Sequence, residues 1–307
     1  MATICITGGT GMIGTRLIEL LSAKNHNLII LTRKSKAAFG NVRFAEWNIE
    51  KGEMDLSAIE KTDFIIHLAG AGVADKRWTK KRKDEIVNSR TQSSALLVKA
   101  INEIPNKVKA VISSSAIGWY GPDEKQTSKG FVETDAAYND FLGQTCLQWE
   151  NSIEPVIQLG IRLVKLRTGI VLSNEGGALK EFKKPLKFGL ASVLGSGKQI
   201  ISWIHVDDLC RMFEYAIEHE TLNGTYNAVA PKPVSNKELI ISLAKKMRGN
   251  AFITAPVPSF ILKLMLGEMS VEVLKSTTAS SAKIQNAGFQ FLYPSLDSAL
   301  NEIIIRK

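Results

Sequence analysis

The stretch TICITGGTGMIG, residues 3–14, joins a short apolar run to three glycines spaced three apart and then to a helical pattern. Gly8 allows a sharp turn, Gly11 leaves room for a pyrophosphate against the backbone, and Gly14 allows a helix to pack closely on a strand. A helix N-terminus presents free amides and the positive end of its dipole to phosphates. The stretch therefore predicts a strand, a phosphate-binding turn and a helix; the alternative is a tight βα turn without a ligand.

Outward from this turn, apolar runs of strand length alternate with stretches of helical period over the first 172 residues. This alternation predicts βαβ units that build a parallel sheet. We therefore expect an α/β protein with a Rossmann-type doubly wound parallel sheet and a second, smaller α+β C-terminal domain. The predicted strands lie at residues 3–7, 28–32, 42–45, 64–68, 108–113 and 161–167.

A length of 307 residues leaves room for two domains. We expect residues 1–172 to form the dinucleotide-binding Rossmann domain, with its sheet completed by residues 200–230. Residues 173–199 and 231–307 are expected to form the smaller substrate or lid domain.

The start of one C-terminal helix is indicated by Ser235 and Glu238, which form a capping box before a helix that ends near Met247. The other elements predicted after residue 172 are a helix at 179–186, a strand at 200–206, a helix at 207–218, and strands at 225–229 and 251–254.

The end of the second predicted strand carries Thr32, Arg33 and Lys34. An NAD-binding unit usually has an acidic residue here, which accepts a hydrogen bond from the ribose 2′-hydroxyl. A guanidinium instead pairs with a 2′-phosphate and stacks on adenine. Arg33 therefore favours NADP(H) over NAD(H) as cofactor; the alternative is a pair of solvated loop cations.

The composition is that of a globular protein, with 45% hydrophobic and 22% charged residues. Three widely spaced cysteines predict neither a disulfide framework nor a zinc site, and with four histidines we expect no metal. No apolar run is long enough to span a bilayer, and the first residues lack the features of a signal peptide. We expect a cytoplasmic protein without a membrane partner.

Five ordered motifs resemble the extended short-chain dehydrogenase/reductase superfamily. Longer strings are similar to its atypical, sugar-nucleotide-epimerase-like subfamily of NAD-dependent epimerases/dehydratases. The motifs are TGGTGMIG at 7–14, HLAG at 67–70, SSSAIGWYG at 113–121, RTGIVL at 167–172 and WIHVDDL at 203–209. The strings are AGAGVADKRWTKKRKDEIVNSR at 69–90, FLGQTCLQWE at 141–150, GSGKQIISWIHVDD at 195–208 and AGFQFLYPSLDSAL at 287–300.

The resemblance runs almost end to end and implies a cofactor that lies across the carboxyl ends of the strands. Asn48 stands where the family often has an acid beside the adenine. Gly14 comes from the turn motif, and Arg167 is the last residue of the strand predicted at 161–167. The predicted cofactor-binding residues are Gly8, Thr10, Gly11, Met12, Ile13, Gly14, Thr32, Arg33, Asn48, Leu68, Ala69, Gly70 and Arg167.

For catalysis, the superfamily resemblance implies a Ser or Thr after the fifth strand and a Tyr-x-x-x-Lys pair in which the lysine lowers the tyrosine pKa. Ser115 fits the first role. None of the five tyrosines has a lysine four residues later, and the expected position near residue 140 holds Phe141 and Thr145. The standard Tyr-Lys chemistry is therefore absent, and Tyr120 is the best remaining acid or base.

Other side chains that could face this pocket have structural alternatives that we favour. Cys146 is more often a small core residue than a nucleophile. His205 is expected to fix a helix start with Asp207 rather than to act as a base. The remaining candidates are Arg90, Trp119 and Trp203.

The basic run at 76–83, KRWTKKRK, is expected to be the solvated start of a helix, with Arg77 or Lys80 able to reach an anionic substrate. We expect no nucleic-acid partner, because only 7% of the residues are aromatic. Two functions remain open. One is an NADP-dependent oxidoreductase or epimerase acting on a small molecule, and the other is a catalytically quiet NADP-binding structural, redox-sensing or regulatory module.

Overall fold

The computed structural model describes residues 1–34, 36–123 and 130–305. Its central element is an eight-stranded sheet with the order β12-β7-β6-β5-β1-β2-β3-β4. Every neighbouring pair in this sheet is parallel except β3 and β4, which are antiparallel. These strands are β1 (Thr3–Thr7), β2 (Asn27–Thr32), β3 (Val42–Asn48), β4 (Glu53–Met54), β5 (Phe64–His67), β6 (Ala110–Ala116), β7 (Arg162–Thr168) and β12 (Gly224–Ala228).

Six further strands pair in twos outside the large sheet: β8 with β11, β9 with β14 and β10 with β13. They are β8 (Ile170–Leu172), β9 (Leu190–Leu194), β10 (Ile200–Ile201), β11 (Trp203–His205), β13 (Val234–Ser235) and β14 (Ile253–Val257).

The α-helices of the described residues follow the predicted alternation in the first half of the chain and cluster in the C-terminal part. They are α1 (Met12–Ala23), α2 (Ser57–Glu60), α3 (Lys80–Glu103), α4 (Phe141–Ile153), α5 (Gly177–Leu186), α6 (Val206–Glu218), α7 (Asn236–Arg248), α8 (Ser259–Leu266), α9 (Ser270–Leu274), α10 (Ala282–Asn286) and α11 (Leu296–Ile305). Short 3₁₀ turns lie at Ile117–Trp119, Glu154–Leu159 and Gly267–Met269.

Alternate residues of each central strand face opposite sides of the sheet, as the two-residue period of a strand requires. On one side, residues such as Ile4 and Ile30 pack against α1 and α6. On the other side, Cys5, Ile29 and Val111 pack against α3 and the end of α4. Helices cover both faces, so the α/β, Rossmann-type doubly wound sheet is confirmed.

A separate apolar core joins α5, α7 and α11 to β9 and β11, with Trp203 fully buried. The predicted helix start is confirmed, because Ser235 is the N-cap of α7 and its side chain accepts a hydrogen bond from the Glu238 amide at 3.1 Å. The prediction of a strand at 200–206 in the large sheet is wrong. Residues 200–201 and 203–205 instead form the short strands β10 and β11, which pair with β13 and β8, and Val206 begins α6. The strand predicted at 225–229 does join the sheet, as β12 beside β7.

None of the helices in the described part of the chain has the length and apolar character needed to cross a bilayer.

Candidate functional site

The glycine turn between β1 and α1 has the backbone geometry that the sequence predicts. Gly8 has φ +67°, and a Cβ built on it would lie 2.8 Å from the carbonyl carbon of Leu68. A Cβ on Gly14 would lie 2.4 Å from the carbonyl oxygen of Gly8. Both positions therefore require glycine, the first for the turn and the contact with β5, the second for close packing of α1.

Gly11 has a different environment from the other two glycines. A Cβ built on it would meet only the Gly8 carbonyl oxygen, at 3.4 Å, and the residue is exposed. Gly11 is also the N-cap of α1, and among the described residues no side chain caps this helix end. The first-turn amides of a helix lack intrahelical acceptors. The open space at Gly11 and these amides together form a cradle that fits a pyrophosphate.

The segment after β5 lies directly beside this cradle. The Thr7 hydroxyl oxygen accepts hydrogen bonds from the amides of Leu68 and Ala69 at 3.0 and 3.1 Å. Thr7 is also 2.8 Å from His67 Nδ1, and burial lowers the pKa of His67 to about 3. The ring of His67 is therefore neutral at physiological pH. These contacts fix the predicted ribose-binding residues Leu68, Ala69 and Gly70 next to the turn.

The predicted adenine end lies at the carboxyl ends of β2 and β3, which are neighbouring parallel strands. Arg33 and Lys34 follow β2, and both are exposed. Asn48 ends β3, and its side-chain oxygen accepts a hydrogen bond from the Lys51 amide at 3.1 Å. The side-chain nitrogen of Asn48 is the group that could face an adenine edge. An exposed guanidinium at Arg33 keeps its donors accessible for a phosphate.

A cleft of about 490 Å³ adjoins the turn on the side of α1 and α6. The C-terminal helix α11 and the segment after β8 close this cleft, and the sequence did not predict either contribution. Its lining residues are Thr10, Gly11, Met12, Thr15, Arg16, Glu19, Ser173, Asn174, Glu175, His205, Val206, Asp207, Glu302 and Ile303.

Ser115, near the end of β6, belongs to a buried polar network. Its hydroxyl donates a hydrogen bond to Glu150 Oε1 at 2.7 Å, and the two residues are only 2% and 3% exposed. The Arg167 guanidinium donates to both oxygens of the same carboxylate, at 2.8 and 3.1 Å. Lys165 Nζ lies 3.3 Å from Glu150 Oε2. Glu150 therefore binds two cations and the Ser115 hydroxyl at once.

Each of the three guanidinium nitrogens of Arg167 donates a hydrogen bond to another group of the protein. Besides the Glu150 pair, its Nη1 donates to the Tyr120 hydroxyl at 3.0 Å and to the Glu133 carbonyl at 3.2 Å. The guanidinium also stacks on Trp119, 3.6 Å from the ring centroid. The cofactor contact that the sequence predicts for Arg167 stays an untested prediction.

Tyr120 is completely buried and stacks on Phe131. Its hydroxyl donates to Asn227 Oδ1 at 2.8 Å and accepts from Arg167. Burial raises the pKa of Tyr120 to about 12, although Arg167 acts to lower it. A proton donor must reach its substrate, and this ring has no exposed surface. The structure offers no support for a catalytic Tyr120, and this role stays an untested prediction.

The N-terminus of α4 holds Phe141 and Thr145, the residues at the positions that the sequence predicts for the Tyr-Lys pair. The Phe141 ring packs edge-on against Trp78 at 4.8 Å between centroids, in an apolar cluster that includes Leu142 and Met269. The Thr145 hydroxyl donates to the Phe141 carbonyl. A phenylalanine cannot transfer a proton, and a threonine hydroxyl cannot lower a neighbour's pKa as an ammonium would.

Two other candidates have the structural roles that we favoured. Burial raises the pKa of the Cys146 thiol to about 12, which makes it a poor nucleophile. His205 Nδ1 accepts a hydrogen bond from the Asp207 amide at 3.1 Å at the start of α6. Arg90 is buried, donates to the carbonyls of Ala71 and Ile86, and stacks on Trp149.

The basic run at 76–83 leads into α3, whose N-cap Thr79 accepts from the Arg82 amide. Arg82 is buried and paired with Glu85 at 2.7 Å, while Lys83 pairs with Glu268. Arg77 and Lys80 remain exposed. In residues 1–34, 36–123 and 130–305, no three His, Cys, Asp or Glu side chains form a group able to hold a metal ion.

The sheet, the turn and the polar network define a Rossmann-type dinucleotide-binding protein of the extended short-chain dehydrogenase/reductase class. Residues 4–140 match the NAD dependent epimerase/dehydratase family, and residues 257–303 match a domain of unknown function, DUF1731. The chain is 35% identical to the epimerase family protein SAR0825 of Staphylococcus aureus (strain MRSA252), over 99% of each chain. It is 34% identical to the epimerase family protein YfhF of Bacillus subtilis (strain 168), over 98% of this chain and 97% of the relative. The chain belongs to this epimerase/dehydratase family.

Solved structures show the same architecture. The human epimerase family protein SDR39U1 (isoform 2), crystallised with NADPH, is 27% identical and superposes with a TM-score of 0.87 over 99% of this chain and 100% of that chain. The UDP-glucose 4-epimerase of Thermotoga maritima, solved with UDP-glucose, shares the fold at a TM-score of 0.80 over 99% of this chain and 97% of the other. At 21% identity, the second likeness concerns the fold alone.

Proposed function

We propose that the protein binds NADP(H) and transfers hydride between it and a carbonyl or hydroxyl group of a small molecule. The observation that carries this proposal is the pairing of an open cradle at Gly11 with the exposed Arg33 at the end of β2. The cradle accepts a pyrophosphate, and the guanidinium suits a 2′-phosphate. The similar human protein crystallised with NADPH supports the same cofactor.

Within this proposal, the chain's own residues bind and orient the dinucleotide. The amides of Met12 and Ile13 would hold the pyrophosphate, Arg33 would pair with the 2′-phosphate, and the segment at 68–70 would support a ribose. When bound, the cofactor supplies the hydride. Ser115 lies at the carboxyl end of β6, where its carboxylate partner Glu150 holds it in place.

A catalytically quiet NADP-binding module is the second candidate. The observation in its favour is that Phe141 and Thr145 occupy the Tyr-Lys positions, while Tyr120 and Ser115 are enclosed in the Glu150 network. Screening of carbonyl compounds for NADPH oxidation separates the two. Turnover that is lost in Gly11→Val supports the enzyme, and tight NADPH binding without turnover supports the module.

We expect NADPH to bind at least tenfold more tightly than NADH, a difference of about 1.4 kcal/mol in binding free energy. Arg33→Ala should remove this preference, because the 2′-phosphate then loses a charge-assisted contact. Fluorescence titration with NADPH and with NADH measures the two binding affinities. Lys61→Ala is the matched control, since it removes an exposed cation that follows α2. Equal affinities in the unmodified protein, or a preference that survives in Arg33→Ala, would contradict the cofactor assignment.

A further inference from the structure

A second group of charged side chains lies at the N-terminus of α4, outside the Glu150 network. Lys275 Nζ lies 2.8 Å from Glu272 Oε2 and 3.5 Å from Asp140 Oδ2. It also donates to the carbonyl oxygen of Tyr120 at 3.3 Å. The Lys275 side chain is 8% exposed, so one buried ammonium is shared by two carboxylates.

This group connects the C-terminal region to the place where the proton-transferring tyrosine is missing. Asp140 is the N-cap of α4 and directly precedes Phe141, and its other oxygen accepts from the Gly143 amide at 2.8 Å. Glu272 lies on α9, within the segment that matches the domain of unknown function. The fold therefore brings two titratable C-terminal side chains to the helix end that holds the Tyr-Lys positions.

The surroundings of Glu272 favour a carboxyl group that keeps its proton at higher pH than usual. Burial raises the pKa of Glu272, Lys275 lowers it, and Asp140 raises it further, with a net upward change. Its side chain is 18% exposed, so it is not sealed from solvent. An acid with a pKa closer to the working pH is a better proton donor.

We propose that Glu272, paired with the Lys275 ammonium that also contacts the α4 N-cap Asp140, donates the proton to the substrate oxygen in the reaction proposed above, on which this inference rests. The carbonyl carbon gains a hydride from the reduced dinucleotide, which is oxidised. The π electrons of the C=O bond move to oxygen. A new O–H bond forms there as the O–H bond of the Glu272 carboxyl breaks, leaving a carboxylate beside Lys275. The reverse direction returns the proton to Glu272.

A pH titration of the nicotinamide fluorescence of bound NADPH tests this without a known substrate, because a group that ionises next to the ring changes its emission. We expect one transition in the unmodified protein, with a midpoint above the usual glutamate pKa of about 4.3. Glu272→Gln should lose the transition. Asp140→Asn should move its midpoint to lower pH and Lys275→Met should move it to higher pH, since the two neighbours act on Glu272 with opposite sign.

Two controls separate this role from a structural one. Asn is also a good N-cap residue, so Asp140→Asn preserves the helix start. Glu214 is another buried carboxylate, which lies on α6 and pairs with Lys24 at 2.7 Å. Glu214→Gln should leave the fluorescence transition unchanged. Tight NADPH binding with emission that does not vary with pH, or a transition that persists in Glu272→Gln, overturns this inference alone. Failure of NADPH to bind overturns the proposed function, and this inference with it.

Discussion

Gly11→Val is expected to weaken NADPH binding at least about 100-fold, or about 2.7 kcal/mol, and to leave the protein folded. The backbone at Gly11 has φ −82°, which valine adopts without strain. Its Cβ would meet only the Gly8 carbonyl oxygen, at 3.4 Å. The remaining branches would fill the space in front of the first amides of α1, where the pyrophosphate must contact backbone. Circular dichroism together with NADPH titration measures both effects.

Gly14→Val is the matched control for this prediction. Its Cβ would lie 2.4 Å from the Gly8 carbonyl oxygen and 2.5 Å from Gly9 Cα, both backbone atoms that cannot move away. We expect this variant to be strongly destabilised. Comparison of Gly11→Val with Gly14→Val would then distinguish a loss of NADPH binding from a loss of folding. A Gly11→Val protein that retains NADPH with unchanged affinity would show that the phosphates bind elsewhere.

Arg167→Met is expected to destabilise the protein by about 3–5 kcal/mol, because removing one partner of a buried ion pair leaves the charge of the buried Glu150 carboxylate only partly compensated. Glu150 is 3% exposed and would keep only Lys165 as a cationic partner, at 3.3 Å. Stacking on Trp119 and the hydrogen bond to Tyr120 would also be lost. Urea unfolding monitored by tryptophan fluorescence measures this loss.

Arg248→Met changes an exposed arginine and is expected to alter the free energy of unfolding by no more than about 0.5 kcal/mol. A loss below about 1 kcal/mol in Arg167→Met would mean that the Glu150 network contributes little to stability. If Arg167→Met stayed folded and lost NADPH affinity instead, the sequence-based prediction of a cofactor contact would be right.

The sheet domain was largely predictable because its signals are local. The strands β1, β2 and β5 are short, mostly buried and mostly apolar runs, as in β2, where five of six residues are buried. The glycine turn is likewise local, because all its residues lie in the eight-residue stretch 7–14. By contrast, β9 is five residues long and pairs with β14, which lies about 60 residues further along the chain. No short-range pattern identifies such a pair, and the strand predicted at 200–206 was misplaced for the same reason.

The candidate site, like the fold, was predictable from the sequence only where its residues are close together in the chain. The phosphate cradle could be predicted because its parts are adjacent in sequence. Glu150 and Lys275 were missed, since their roles depend on partners that only the fold brings together. An acid on the buried side of α4, beside Cys146 and Trp149, was the available signal for Glu150. The sequence favours Tyr120 because it follows the fifth predicted strand, but a position in sequence does not show that the ring is buried in the core.

A crystal structure of the unmodified protein with NADPH tests the central claim most directly. We predict the pyrophosphate on the amides that follow Gly11, the 2′-phosphate within hydrogen-bond distance of Arg33, and the nicotinamide between Ser115 and the N-terminus of α4, facing Glu272. A dinucleotide bound away from the turn between β1 and α1, or a 2′-phosphate without contact to Arg33, would contradict the account.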